Sequence, residues 1–330
     1  MKKLIIFDMD GVLIDVSNSY RDTVRKAVSI FLNPCAGSGM LKSPLFELAD
    51  LAFLKQSGGL NNDWDLTHRV LTLLLSKTPS SADKYDRKKW DLSSLASFLA
   101  AEENPLEKLL DEAGSFRSEA ADFYYMGDVG TGNIIKQIFQ EVYLGPVLFE
   151  TTYGFPPEFY NEDGFILREK LLVSKEILSE LSDKSILAIA TGRPAAEALY
   201  PVEKHGIKYF RKIITLDDCL AAEAEELKKS GRVVLLSKPH PYMLDTAAKQ
   251  ITADDKAVDR FYYVGDMPDD MIAAKKSSFP FTAVGVTFSA PKASQGASGG
   301  ADGTAVRLKA AGADHIADTP EKLFNILTAE

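Results

Sequence analysis

The chain has 330 residues, 45% hydrophobic and 26% charged, with 47 acidic against 38 basic residues and a formal net charge of −9. This is the composition of an ordinary globular protein with length for about two domains. It excludes nucleic-acid binding through a broad basic patch, offers no basic amphipathic segment for an anionic membrane surface, and contains nothing near the ~18 consecutive apolar residues of a transmembrane helix.

The first predicted element is a buried parallel strand over residues 4–8, within Leu-Ile-Ile-Phe-Asp-Met-Asp-Gly. The apolar run is short and is bounded by Asp and Gly. Lys2 and Lys3 precede it, but the run is too short for the core of a signal peptide and Asp8 ends it. Asp8 and Asp10 then stand at the carboxyl end of a strand, where open α/β sheets bind ligands. Two carboxylates so close repel each other unless a cation or a shared proton intervenes. The pair is a candidate Mg2+ site with one carboxylate able to act as a nucleophile. The bland alternative is a strand-to-turn junction with two solvated aspartates.

From Ser17 to about Gly145 the pattern is helical. Tyr20, Val24, Ala27, Val28 and Phe31 share one helical face, as do Leu66, Val70, Leu73 and Leu74 behind an Asn-Asp-Trp-Asp start that can cap a helix. Helices are also expected within 91–103 and 132–144, and loops over Asn33–Met40 and 78–83. From Lys184 onward strands and helices alternate. Strands are expected at 186–190, 213–215, 261–264 and 281–286, and helices at 195–205, 221–229, 242–252 and 305–311. This alternation implies a parallel sheet covered on both faces. Residues 289–303 have the small-residue composition of a flexible loop. The expected architecture is α/β: a Rossmann-like three-layer core of residues 1–15 and 166–330, interrupted by an enlarged helical domain of residues 16–165. The two cysteines, Cys35 and Cys219, lack metal-ligand spacing, and a reducing cytoplasm is the simplest setting.

Three further signals sit at the ends of the later strands. Thr191-Gly192-Arg193 follows the second strand, where a hydroxyl beside a glycine turn can hold a phosphate oxygen with backbone N–H groups helping. Equally, Thr191 can cap a helix starting near Pro194. In Ser237-Lys238-Pro239-His240-Pro241 the prolines restrain the backbone around a lysine able to neutralise an aspartate and a phosphate together. Otherwise Lys238 is a surface lysine in a turn. Asp266 ends the third strand and Asp270 lies one helical turn on. With Asp8 they form a carboxylate cluster from two strand ends, suited to Mg2+.

Taken together these residues resemble the four motifs of the haloacid dehalogenase superfamily of phosphohydrolases. Asp8 and Asp10 are similar to its first motif, Thr191 to its second, Lys238 to its third, and Asp266 with Asp270 to its fourth. The insertion between the first two motifs is similar to the helical cap of its subfamily I members. Segments 15–21, 61–69 and 169–172 look like those of a narrower phosphatase subgroup, some of whose members resemble segments attached to histidine-biosynthesis enzymes. Around residues 76–130 the insert is longer than usual for that subgroup.

The resemblance implies a Mg2+-dependent phosphatase acting on a small phosphorylated metabolite. Asp8 would be the nucleophile and Asp10 the acid and base. Thr191, Gly192, Arg193 and Lys238 would surround the phosphate, and Asp8, Asp10 through its backbone carbonyl, Asp266 and Asp270 would surround the metal, with Asp270 orienting Lys238 or a metal-bound water. The cap is expected to set specificity. Asp15, Ser17, Tyr20 and Arg21 lie near the start of the insert, and Asn62, Asp63, Trp64 and Arg69 form a polar cluster around one aromatic ring. Arg21 and Arg69 are suited to grip an anionic group on the substrate, and Trp64 is expected beside it. The structural alternative is helix capping by Asp63 and a core Trp64. A phosphosugar mutase of the same superfamily is the rival enzyme, although Tyr20-Arg21 stands where a mutase usually has its histidine. A non-enzymatic phosphometabolite-binding protein is the other alternative, and it would be expected to have lost one of these groups.

Overall fold

Leu4, Ile5, Ile6 and Phe7 are all fully buried, and they form the centre of a sheet whose two faces are both covered. The computed structural model describes residues 2–56, 62–78, 85–289 and 301–329. Asn61, residues 79–83 and nearly all of the small-residue loop expected over 289–303 lie outside them. By internal contacts the chain divides into two units, Met1–Val16 with Lys170–Glu330, and Ser17–Glu169.

In chain order, strand β1 spans Lys2–Phe7 and a two-residue strand β2 spans Ile14–Asp15. The inserted unit holds α1 (Tyr20–Leu32), α2 (Leu48–Gln56), α3 (Asp63–Leu75), α4 (Ser93–Ala101), α5 (Pro105–Ala113), α6 (Glu119–Tyr124) and α7 (Ile134–Tyr153). The chain then runs through β3 (Lys170–Leu171), α8 (Lys175–Lys184), β4 (Ser185–Ala190), α9 (Ala195–Lys204), β5 (Phe210–Ile214) and α10 (Leu216–Ser230). It ends in α11 (Tyr242–Asp254), β6 (Val258–Gly265), α12 (Pro268–Lys276), β7 (Phe281–Val286), α13 (Ala301–Ala310), β8 (His315–Ala317) and α14 (Pro320–Thr328).

The sheet has six parallel strands in the order β5-β4-β1-β6-β7-β8, so the α/β Rossmann-like core inferred from the alternating pattern is what the chain forms. The two-residue period of β1 sends Leu4 and Ile6 to a core shared with α11, α12 and α13. Ile5 and Phe7 go to a second core shared with α8, α9 and α14. A strand buried on both faces must be apolar throughout, which is why this one reads as an unbroken run. Each such side chain contributes roughly 1.5–3 kcal/mol by leaving water. Because β1 lies between β4 and β6, the residues that follow these three strands are spatial neighbours.

Three sheet elements were not legible beforehand. β2 and β3 form an antiparallel two-residue ribbon, and β8 is a three-residue edge strand. All three are too short to show a period. The strand expected at 213–215 is Phe210–Ile214, and Thr215 instead begins α10, its backbone N–H donating to Asp218 at 2.7 Å.

Within the inserted unit, Leu66, Val70, Leu73 and Leu74 are fully buried, as their spacing predicts. Tyr20 stacks on Tyr143 with ring centroids 4.2 Å apart. α7 kinks at Gly145, which has φ +70° and whose Cβ, were it present, would stand 2.5 Å from the Gly164 nitrogen. Two buried carboxylates organise irregular backbone here. Asp50 accepts the N–H groups of Leu106 and Glu107 at 2.8 and 2.9 Å, capping α5 from another helix. Glu141 accepts those of Glu158, Phe159 and Tyr160 at 3.0, 2.5 and 3.0 Å.

Candidate active site

Asp8 is the first residue after β1, and its N–H donates to Val264 of β6 at 2.8 Å. The chain then turns at once, with Leu13 and Ile14 both donating to the carbonyl of Met9 at 2.9 Å. Gly11 makes this turn at φ +71°, and any Cβ there would fall 2.1 Å from Asp266 Oδ2. Only glycine lets the turn pass so close to that carboxylate.

Asp8 is 7% exposed, and its Oδ1 accepts the Met9 N–H and the Lys238 ammonium, each at 2.8 Å. Lys238 also donates to Asp270 Oδ1 at 2.8 Å and to the Tyr263 hydroxyl at 3.0 Å. Tyr263 in turn donates to Asp270 Oδ1 at 2.8 Å. Asp270 Oδ2 accepts the Met267 N–H at 3.0 Å, which ties the carboxylate to the start of α12. Lys238 is therefore fixed by the fold and is not a surface lysine.

Oxygens of Asp8, Asp266 and Asp270 lie within 4.8 Å of one another. One ammonium faces three carboxylates, and the electrostatics follow. Burial pushes Asp8 up to about 7 against the pull of Lys238, with Asp270 and Asp10 adding repulsion. Burial, then Asp270 and Asp8, holds Asp266 well above the usual carboxylate range. Burial alone would pull Lys238 down, but Asp270 and Asp8 override it and keep the ammonium charged. Crowded hard oxygens that resist ionisation are what a small divalent cation would relieve, so the donor set fits one. Both oxygens of Asp270 already accept hydrogen bonds. Asp270 thus orients Lys238, as expected, and it remains with Asp8 and Asp266 among the three carboxylates that could hold a cation.

Asp10 stands apart from this cluster. Its Oδ1 accepts from Nε and Nη2 of Arg193, both at 2.6 Å, and the Arg193 side chain is 1% exposed. Arg193, expected on the phosphate, is held on Asp10 instead. Asp10 offers no side-chain oxygen to the three-carboxylate group, where the part expected of it is that of its backbone carbonyl. Thr191 is buried at the end of β4, and its Oγ1 accepts the Arg193 N–H at 3.2 Å. It does not cap α9. That helix begins after Pro194 with no cap from its own flank, and Asp217 accepts the Ala195 N–H at 2.7 Å. Gly192 is exposed beside it.

In the inserted unit, Asn62 rather than Asp63 caps α3, accepting the Asp65 N–H at 2.7 Å. Trp64 is half-buried and carries the Lys136 ammonium 4.3 Å from its ring centre, so it is not a core residue. Arg69 donates to the carbonyls of Gly114 and Phe116. Tyr20 is buried in the aromatic stack. Arg21 is half-buried on the first turn of α1.

Sequence reasoning missed Tyr263 and the Asp10–Arg193 pair. Tyr263 sits three residues before Asp266 in β6, at a position whose only signal was strand alternation.

Residues 2–277 match the profile of a family described as haloacid dehalogenase-like hydrolase. An imidazoleglycerol-phosphate dehydratase from Phytophthora nicotianae is 25% identical over 276 residues, which are 83% of this chain and 41% of that protein. The chain thus spans about two fifths of the length of this curated relative. An X-ray structure from a structural genomics consortium superposes with a TM-score of 0.62 at 22% identity, covering 99% of this chain and 98% of that one. A phosphatase from Thermococcus thioreducens superposes with a TM-score of 0.53 at 19% identity, covering 86% and 92%. These likenesses are of fold. Among the described residues no helix is long and apolar enough to cross a membrane.

Proposed function

The chain belongs to the haloacid dehalogenase-like hydrolase family, and from that premise we propose that it is a Mg2+-dependent phosphatase of a small phosphorylated metabolite, working through an aspartyl-phosphate on Asp8. The observation that carries this reading is the Lys238 ammonium, 2.8 Å from both Asp8 Oδ1 and Asp270 Oδ1, with all three side chains largely buried. A cation fixed against a carboxylate nucleophile is equipped to receive an anionic phosphoryl group.

Asp8 attacks phosphorus in line. Asp10 protonates the leaving oxygen and then takes a proton from the water that cleaves the acyl-phosphate. Lys238 and the Thr191 hydroxyl bind non-bridging oxygens, with the N–H of Gly192 beside them. Mg2+ held by Asp8, the Asp10 carbonyl and Asp266 would offset the repulsion between an anionic nucleophile and an anionic phosphate. Phosphoryl transfer asks mainly for positioning and charge stabilisation, and these groups supply both. Choice of substrate is assigned to Arg21 and Trp64 of the inserted unit. The Phytophthora relative is named for a small phosphorylated metabolite, the substrate class proposed here. Cys35 and Cys219 are unpaired and buried, in keeping with a cytoplasmic setting.

The test is hydrolysis of a panel of phosphorylated metabolites and of para-nitrophenyl phosphate with Mg2+. Asp8→Asn should lose at least about a hundredfold in turnover and fail to trap beryllium fluoride. A protein that cleaves none of these esters, or an Asp8→Asn variant that keeps most of the activity, overturns the proposal.

A further inference from the structure

We propose that Arg193 is the positioning residue of Asp10: it holds one carboxylate oxygen, Oδ1, so that the other, Oδ2, is the atom that passes the proton to and from the substrate. The inference rests on Asp10 being the acid and base of the proposed reaction, and it assigns Arg193 a task other than binding phosphate.

The pair is built. Nε and Nη2 of Arg193 both lie 2.6 Å from Asp10 Oδ1, a charge-assisted contact from one edge of the planar guanidinium. The third arm, Nη1, donates to the carbonyl of Glu197 in α9 at 3.2 Å. The backbone of Arg193 is pinned as well, its N–H donating to Thr191 Oγ1 at 3.2 Å and its carbonyl accepting from Leu216 at 2.9 Å. Asp10 is different: its side chain is 36% exposed, while that of Arg193 is 1% exposed. The fixed partner is inside and the reachable one is outside. With two donors on Oδ1, the oxygen left for a proton is Oδ2.

The two half-reactions then share one atom. In the first, the Asp8 oxygen bonds to phosphorus, the bond from phosphorus to the ester oxygen breaks, and the proton on Asp10 Oδ2 moves to that oxygen to give the alcohol. In the second, Oδ2 takes a proton from water, the water oxygen bonds to phosphorus, and the bond to Asp8 breaks, releasing inorganic phosphate and the Asp8 carboxylate. A lysine cannot reproduce the hold, because it lacks the planar fork that places two N–H groups on one oxygen.

The experiment compares Arg193→Met and Arg193→Lys with the wild type on two substrates the wild type cleaves. One is para-nitrophenyl phosphate, whose leaving group departs without a proton. The other is an alkyl phosphate, whose leaving oxygen needs one. Inhibition by inorganic phosphate is measured alongside. Arg193→Met should lose about a hundredfold in kcat/KM on the alkyl ester, the low end for a general acid, and far less on the aryl ester. Arg193→Lys should fall between, and it carries the same test should Arg193→Met fail to fold. Inhibition by phosphate should stay within about threefold, since no phosphate contact is removed. In an Asp10→Asn background the Arg193→Met change should add almost nothing.

Equal losses on both esters would mean that Arg193 only holds the fold together. A tenfold or greater weakening of phosphate inhibition would make it a phosphate ligand, and additive effects with Asp10→Asn would uncouple the pair. Each result overturns the inference while the phosphatase reading stands, whereas a wild type inactive on every ester removes both.

Discussion

Replacing Asp8 by Asn should stabilise the metal-free protein while abolishing its turnover, and the gain should grow with pH. Asp8 is nearly buried beside Asp266 and Asp270, and it titrates at about 7 in the fold against 3.8 for an ordinary aspartate. The folded state therefore holds the Asp8 proton over a range where the unfolded chain has released it. Stability contributed by that proton is full below about pH 4 and is lost as pH rises through about 7. At 1.36 kcal/mol per pH unit the loss sums to about 4 kcal/mol by pH 8. Asn is neutral throughout and avoids it. Its carbonyl can still accept from Met9 and Lys238, and Lys238 keeps Asp270 and Tyr263. Thermal unfolding in chelator should show the two proteins nearly level below about pH 4. By pH 8 Asp8→Asn should melt higher by on the order of 5–10 °C. Added Mg2+ should raise the wild type and leave the variant almost unmoved. A variant that melts lower than the wild type at pH 8 without metal, or a gap that does not change with pH, would refute the reasoning.

Chelation should abolish phosphate-ester hydrolysis and Mg2+ should restore it, whereas Ca2+ should restore little because its larger, looser shell misplaces the nucleophile; activity in excess chelator counts against the cluster as a metal site. Tyr263→Phe removes one acceptor of Lys238, and kcat should drop by about tenfold because misplacement of a positioning group is costly; an unchanged kcat would leave Tyr263 a packing residue. Arg21→Ala and Trp64→Ala should lower kcat/KM for the true substrate far more than for acetyl phosphate, which is too small to use such contacts. Arg69→Ala should depress both alike through its lost hold on Gly114 and Phe116, and the reverse ranking would reassign the specificity residues. Glu141→Gln replaces one of two accepting oxygens with an amide donor, set against either the Phe159 and Tyr160 N–H groups or the Glu158 N–H and the Gln137 amide, and should destabilise the inserted unit by about 3 kcal/mol, read as a lower unfolding midpoint; a neutral change would mean that the 158–160 backbone finds other acceptors.

The amino-acid sequence by itself determined the sheet core and the positions of its chemistry. Leu4–Phe7, Ile186–Ala190, Phe261–Val264 and Phe281–Val286 are local apolar runs, and the ends of the first three carry residues of the right type: Asp8, Thr191 and Asp266. Such signals survive in one dimension because burial on both faces of a parallel strand forces a continuous apolar stretch and the turn after it forces a polar stop. The two- and three-residue strands Ile14–Asp15, Lys170–Leu171 and His315–Ala317 left no such trace, since they are shorter than any period. Only the tertiary structure decided which oxygen meets which donor. Arg193 reads beside Thr191 as a phosphate contact, yet it closes on Asp10, which lies 183 positions away in the chain. Lys238 reads either as a turn lysine or as a partner for an aspartate, and it is fixed by Asp270 and by Tyr263 of the following strand β6. Arg69 reads as a hand for substrate, and it holds the carbonyls of Gly114 and Phe116. Hydrogen bonds of a few ångströms depend on how distant segments pack together, and no local pattern encodes that approach.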